Sequence, residues 1–397
     1  MRLIHVADLH LGKTLHERSL RDEQAAMLDD LLAKLASVRP AALLVAGDIY
    51  DRSIPPPDAI ELFDSFLNRA AAADPGLVIV AIPGNHDSAA RLSFGSGLLS
   101  RAGVHLRTRP SEADVPVLVE RGGERCAIWP IPYLYPGSEL PRREIRDGAR
   151  RVEGGDPGLR SQSDLLAETV AAVHERLAPN AYNVALAHCF AAGGAASESE
   201  RAFVGLAEQV DASLFDRFDY AALGHLHRSQ AVGAKARYAG SPMAYSFGEC
   251  GEERGFLSVE LSAEGSATEL LAHRPLRRLS RLSGLFEALA APGAFSGSRE
   301  DYVEIRLEDL VPVIDPAEPL KANFPYLASV RQAAFELAAP GAAGRPAPDS
   351  PAVASTGPKA VFEDFHAFHL DMRGIPPDEA AATLFAEILA EAELETA

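Results

Sequence analysis

The run Ala41-Ala42-Leu43-Leu44-Val45-Ala46 contains no polar side chain and then stops at Gly47-Asp48. Six apolar residues that leave no face for water describe a strand covered on both sides. A carboxylate at the mouth of such a strand must be hydrated, paired or bound to metal, because burying it alone is strongly unfavourable. The pattern recurs. Leu3-Ile4-His5-Val6-Ala7 runs into Asp8-Leu9-His10, and Leu77–Ile82 passes through Pro83 into Gly84-Asn85-His86-Asp87. Further on, Asn183–Ala187 ends at His188, and Tyr220–Leu223 ends at Gly224-His225-Leu226-His227.

Helical spacing separates these runs. Glu17–Val38 places Leu28, Leu31, Leu32, Leu35 and Val38 at the i, i+3, i+4, i+7 positions of one face. Asp58–Ala73 does the same with Ile60, Phe63, Phe66 and Leu67. Arg125–Ile131 and Arg237–Ala239 read as further strands, and Gly255–Leu261 as an edge or terminal strand. Strands alternating with helices predict an α/β layered core rather than an all-β barrel. In an open α/β sheet the strand C-termini form the crevice where ligands bind. The acidic, amide and imidazole groups above are therefore expected to converge, although they span more than two hundred residues of sequence.

A chain of 397 residues is expected to hold more than one domain. Residues 1–272 make up the layered core, within which Pro136–Asp164, charged and glycine-rich, reads as an exposed loop. Residues 273–339 read as a small α+β domain: a basic turn and short helix in "HRPLRRLSRLSGLFEALAAPG", a strand in "DYVEIRLED" and a helix in "YLASVRQAAFELAA". Residues 340–360 are a proline- and alanine-rich tether. Residues 361–397 regain helical character. Phe362, Phe365, Phe368 and His369 share a face, and a last helix from Pro376-Pro377-Asp378 carries Leu384, Phe385, Ile388 and Leu389. A helical pair this small buries too little surface to stand alone, so it is expected to dock on a partner or on its own chain.

The net charge of −18 argues against a basic coat that binds nucleic acid through bulk electrostatics. A nucleic-acid substrate stays open, because bound cations invert the local sign and a partner can supply basic surface. No apolar run approaches the ~20 residues of a membrane span, and no leader precedes Asp8. Cys126, Cys189 and Cys250 lack CxxC spacing, which fits a reducing cytoplasm. Cys189, beside His188, reads as a small buried residue.

Each polar strand end has an ordinary explanation by itself. Asp8-x-His10 suits an exposed turn, Asn85 tolerates the backbone of a turn, and Gly224-His225 suits a strand end. Their joint order, D-x-H, G-D-x-x-D, G-N-H-D, a strand-end His and G-H-x-H, resembles the calcineurin-like metallophosphoesterase superfamily. The longer strings "HVADLHLG", "AGDIYDRSIPPPDA", "PGNHDSAARL", "ALGHLHRSQ" and "YAGSPMAYSFGE" resemble its DNA-repair nuclease branch. This likeness runs over nearly the whole chain and is weakest after Ala272.

The resemblance implies a layered β-sandwich flanked by helices, with a small α+β capping domain that recognises DNA and C-terminal helices. It implies two metal ions, usually Mn2+, with Mg2+ or another divalent cation as alternatives. Asp8, His10 and His227 would bind the first ion, Asn85, His188 and His225 the second, and Asp48 would bridge them. Oxygen and imidazole donors without thiolate suit Mn2+ better than structural zinc. His86 is expected at the scissile phosphate, or else as a support for Asp8 or another ligand.

The implied activity is 3′→5′ exonuclease action on duplex ends and endonuclease action on single strands and hairpins, serving DNA repair, recombination and replication. The implied partners are DNA and an SMC-type ATPase whose coiled-coil base is gripped by residues 361–397. A homodimer through Asp58–Ala73 and Ala89–Leu99, within a cytoplasmic, nucleoid-associated heterotetramer, is also implied. "GDIYDR" is similar to the phosphoprotein phosphatase pattern too, but Ser53 stands where that pattern has glycine. In addition, Ile82-Pro83 stand where it has arginine, and Asp87 where it has glutamate. Arg52 keeps two readings, a grip on phosphate and a surface ion pair. A phosphatase or small-molecule phosphodiesterase, and a non-catalytic DNA-end scaffold, are the rival functions.

Overall fold

Two six-stranded sheets pack face to face, each with helices on its outer side. The computed structural model describes residues 1–135, 138, 140, 161–195 and 209–338. Met1–Ala334 forms one compact unit, and Phe335–Ala397 a second that lies almost wholly outside the described residues. The tether, the terminal helical pair and most of the Pro136–Asp164 loop therefore also lie outside them.

From the N-terminus, β1 (Arg2–Val6) leads to a hairpin of β2 (Thr14–Leu15) and β3 (Arg18–Ser19), then α1 (Arg21–Val38), β4 (Ala42–Ala46), α2 (Pro57–Ala73) and β5 (Val78–Ile82). The α1 helix starts four residues later than its spacing predicts. His16 and Glu17 both adopt positive φ, 45° and 67°, which closes a two-residue hairpin instead of a helical turn. Next come α3 (Ala89–Leu92), α4 (Ser96–Leu99), β6 (Val104–Leu106), β7 (Val117–Arg121) and β8 (Glu124–Ile131). The helix expected over Ala89–Leu99 is thus two single turns, interrupted where Gly95 takes φ 71°.

The second half adds α5 (Gln162–His174), β9 (Tyr182–His188), β10 (Tyr220–Gly224), β11 (Gln230–Val232), β12 (Ala236–Tyr238), β13 (Gly255–Ser262) and β14 (Gly265–Ala272). A reciprocal cap opens α5, in which the Asp164 amide donates to Ser161 Oγ at 3.0 Å and the Ser161 amide to Asp164 Oδ2. The first sheet runs β14-β13-β1-β4-β5-β6 and the second β11-β12-β10-β9-β8-β7. The expectation of an edge strand at Gly255–Leu261 is corrected: β13 is interior, because the hairpin partner β14 covers its outer side.

Alternation along each strand builds three apolar layers. Leu43, Val45, Ile79 and Ala81 face α1 and α2, joining Leu28, Leu31, Phe63 and Phe66. Leu44, Ala46, Val80 and Ile82 face inward and meet Ile128, Val184, Leu186 and Ala222 of the second sheet. The outer face of the second sheet packs Trp129, Ala185 and Leu223 on Leu165, Val170 and Val173 of α5. Strands buried on both faces read as continuous apolar runs, and the first sheet shows why Ala41–Ala46 has no polar face.

The last elements are β15 (Leu279–Gly284), α6 (Phe286–Ala290), β16 (Tyr302–Leu307), α7 (Ala317–Lys321), β17 (Leu327–Gln332) and α8 (Ala333–Ala338). The parallel sheet β15-β16-β17 has a core of its own around Leu289, Val303, Ile305, Leu320 and Phe324. Two expectations change here. "RRLSRLSG" supplies a strand, and "YLASVRQ" pairs with β16 rather than coiling, because the open edge of β16 offers its backbone a ladder. Helix begins only at Ala333.

Candidate metal centre

The five polar strand ends meet at one place. β1, β4 and β5 are parallel neighbours in the first sheet, and β9 and β10 are parallel neighbours in the second, with Gly224 opposite His188. Parallel pairing brings their C-termini to the same edge of the sandwich. Backbone bonds tie the first two loops together, from the Asp8 amide to Gly47 O (3.1 Å) and from the His10 amide to Asp48 O (2.9 Å).

The backbone is strained where the donors sit. Asp8 (φ 54°), His10 (φ 42°), Asp48 (φ 49°) and His225 (φ 115°) are non-glycine residues at positive φ. Such conformations cost about 1–3 kcal/mol each and persist only where surrounding structure imposes them. The glycines answer to close approach. A Cβ on Gly224 would lie 1.8 Å from Ala46 O in the opposite sheet, and one on Gly84 would lie 2.2 Å from Asp48 Oδ1.

Among the described residues, two groups of donors each lie within 4.8 Å of one another: Asp8, Asp48 and His188, and His10, Asp48 and His86. Asp48 belongs to both. Its Oδ2 is 3.8 Å from His10 Nε2 and 3.6 Å from His188 Nε2, while its Oδ1 accepts from the His86 amide at 2.9 Å. His10 Nε2 and His227 Nε2 are 3.1 Å apart. Asn85 Oδ1 lies 3.0 Å from His188 Nε2 and 3.1 Å from His225 Nδ1. The His225 amide donates to both oxygens of Asp8, at 3.0 and 3.2 Å. All seven ligand candidates, and His86 with them, are thus brought together.

The remaining ring nitrogens show which form each imidazole takes. His188 Nδ1 is 2.8 Å from Ala46 O, His227 Nδ1 is 3.1 Å from Glu249 Oε1, and His10 Nδ1 is 3.5 Å from Asp51 Oδ1. His188 Nδ1 and His227 Nδ1 each meet an oxygen acceptor at hydrogen-bond distance, which favours a proton there and leaves Nε2 to coordinate. Burial holds His10 down to about 4, partly opposed by Asp51, and burial followed by the charge of His188 holds His225 down to about 3. Burial thus favours the neutral form of His10, His188 and His225, the form a ligand needs. Two imidazole nitrogens 3.1 Å apart either share a proton or both turn to a common cation. The donor set, oxygen and imidazole without sulfur, fits a divalent metal ion.

Several residues outside the sequence-derived set shape the site. Gln24, on the buried face of α1, donates to His10 O at 2.7 Å and accepts from the Gly12 amide, which fixes the D-x-H turn. Asp87 accepts from the amides of Ile49, Tyr50 and Gly84 at 2.9–3.0 Å and so locks the β4 loop to the β5 loop. Tyr245 donates to Leu9 O beneath His10. Gln24, four residues before Leu28 on the same face of α1, is a polar interruption that sequence carries; the backbone partners of Asp87 leave none. Asp51 accepts from Lys13 Nζ at 2.7 Å, and His86 Nδ1 is 2.9 Å from Asp51 O. Arg52 is exposed, with its Nε 3.8 Å from Asp51 Oδ2.

The calcineurin-like phosphoesterase family matches residues 1–229. SbcD of Staphylococcus saprophyticus, a subunit of the nuclease SbcCD, is 29% identical over 339 residues, covering 85% of this chain and 86% of that protein. Among solved structures, GAP50, the anchor in the inner membrane complex of Plasmodium, is similar at TM-score 0.40 and 12% identity, over 69% of this chain and 88% of its own. A dimetal phosphatase from Danio rerio is similar at TM-score 0.36 and 14% identity, over 68% of this chain and 98% of its own.

Proposed function

Because this chain belongs to the calcineurin-like phosphoesterase family, we propose that it is a Mn2+-dependent DNA nuclease acting with an SbcC-like SMC-type ATPase. The observation that carries the reading is the position of Asp48, whose carboxylate lies within 4.8 Å of donors from both proposed sets, Asp8 and His10 of the first and His188 of the second. Asp8, His10 and His227 would hold the first ion and Asn85, His188 and His225 the second, with Asp48 shared between them. When bound, two such cations engage a phosphodiester, activate a water and stabilise charge on the displaced oxygen.

The chain's own groups do the rest. The strained loops fix the donors before substrate arrives, so little reorganisation accompanies the reaction. His86, whose Nδ1 donates to Asp51 O, serves the scissile phosphate and, when protonated, delivers a proton to the leaving 3′-oxygen. The relation to an SbcD nuclease along most of the chain supports DNA as the substrate. On this reading the protein cuts duplex ends 3′→5′ and single strands and hairpins internally, in DNA repair and recombination in the cytoplasm.

Residues 273–339 act as the capping region that meets DNA, residues 340–360 as a linker, and residues 361–397 as the grip on the ATPase. Ile60 on α2 and Phe94 line one open apolar hollow, and Leu98 is exposed as well, which supports a homodimer through this face. Among the described residues no helix is long and apolar enough to cross a membrane.

Incubation with Mn2+ and labelled hairpin DNA, and separately with nitrophenyl phosphate esters, tests the substrate class. Cleaved hairpins with poor ester turnover are expected; robust ester turnover with intact DNA overturns the reading in favour of a phosphatase. Deleting residues 361–397 is expected to abolish association with the ATPase and to spare metal-dependent cleavage. Loss of both would assign those residues to the catalytic core.

A further inference from the structure

Glu249 is a carboxylate with 2% exposure, on a short turn beyond the second sheet, and the proposed reaction makes no use of it. Burying it needs several partners. Its Oε1 lies 3.1 Å from His227 Nδ1 and accepts from Ser246 Oγ at 3.1 Å, while its Oε2 accepts from the Tyr245 amide at 3.0 Å. The Arg254 guanidinium closes a loop around this contact. One arm sits 3.4 Å from Glu249 Oε2, and the other donates to His227 O at 2.7 Å and to Ser241 Oγ at 2.6 Å. A single buried cation thus fixes both the backbone of His227 and the carboxylate behind its ring.

We propose that Glu249, clamped by Arg254, is a positioning residue that orients His227 and tightens the binding of the first cation. This inference rests on the two-cation reading above and deepens it. A carboxylate behind Nδ1 fixes the tautomer that offers Nε2, and it makes that nitrogen a stronger donor than a neutral partner would. The contrast lies within the same site: His188 has only the Ala46 carbonyl behind its Nδ1. His227 lies at the outer end of the Gly224-His225-Leu226-His227 turn, where ring orientation depends on whatever stands behind it. Glu249 occupies that place.

The experiment is Mn2+ titration of the full chain, followed by calorimetry and by the electron paramagnetic resonance of free Mn2+. Wild-type protein is expected to bind two ions. Glu249→Gln keeps the shape and removes the charge, and is expected to weaken one ion by about 10–100-fold while leaving the other unchanged. Glu249→Asp, which keeps the charge, is expected to recover part of that loss. Arg254→Lys serves as the second variant should Glu249→Gln fail to fold, and a weakened single site is again the expected result.

Unchanged affinity for both ions in whichever of these variants folds overturns the proposal. Equal weakening of both ions, or a fall in the melting temperature of chelator-treated protein with no change in Mn2+ affinity, overturns it in favour of a purely structural role. A wild-type protein that binds no Mn2+ would instead overturn the two-cation reading itself.

Discussion

The two large sheets bring different chemistry to the same crevice. The first supplies the oxygen donors Asp8, Asp48 and Asn85 together with His10; the second supplies only imidazoles, His188, His225 and His227. In the proposed assignment each ion draws from both sides, so neither sheet holds a complete ligand set. On that assignment cations would act as fasteners across the sandwich as well as reagents. The two sheets also differ in strain, with three of the four left-handed donor positions belonging to the first. Where the sheets come closest, Gly224 faces Ala46 O, and the buried His5 bridges to Tyr220 OH (3.0 Å) and Leu223 O (3.2 Å).

The most severe way to break this division is Asp48→Ala, which removes the one donor common to both groups. Because an outer partner of a metal ligand is already worth about 10–100-fold, the loss in kcat/KM should exceed about a hundredfold, and Mn2+ titration should show both ions weakened. Retained activity would mean that the sheets meet without a shared carboxylate. Removing the cations tests the fastening itself. With Mn2+ at a hundred times its Kd, binding adds about 2.7 kcal/mol to stability, so calorimetry should show a clear drop in Tm on chelation.

Gly224→Ala sharpens the comparison from the steric side. The new methyl must push the sheets apart at the donors' end, at about 1–3 kcal/mol, and urea unfolding should report that loss alongside weaker Mn2+ binding. The smallest expected effect concerns His5. Burial holds its imidazole down to about 3, whereas the unfolded chain takes up the proton near 6.5. Its contribution is therefore whole above pH 6.5 and is lost as pH falls from there toward 3. In chelated protein, His5→Gln should make the fall in urea stability across that window shallower.

The strand ends were legible because a buried strand has to be apolar and then has to stop. Asp8, Asp48, Asn85, His188 and His225 interrupt such runs, and their order carried the site. Asp87 and Glu249 were not legible as parts of it, because each acts through a contact set by the fold, three amides in two loops and a ring 22 residues away, whereas Gln24 left a trace as a polar residue on an apolar helix face. Leu327–Gln332 reads helical by composition and became a strand because β16 offered it an edge. The interior position of Gly255–Ser262 likewise depends on a partner strand that local periodicity does not reveal.

The placement of β13 beside β1 has a consequence for synthesis on the ribosome. The amine of Met1 lies 2.7 Å from Leu261 O, so the segment that opens the fold is finished by one of the last residues of the core. Until β13 emerges, β1 lacks a neighbour on one side, although His225 and His227 have already left the ribosome. A nascent or truncated fragment that stops short of β13 therefore carries all seven candidate donors and a first sheet whose β1 has one unpaired edge, and the cleft is braced only in a late step.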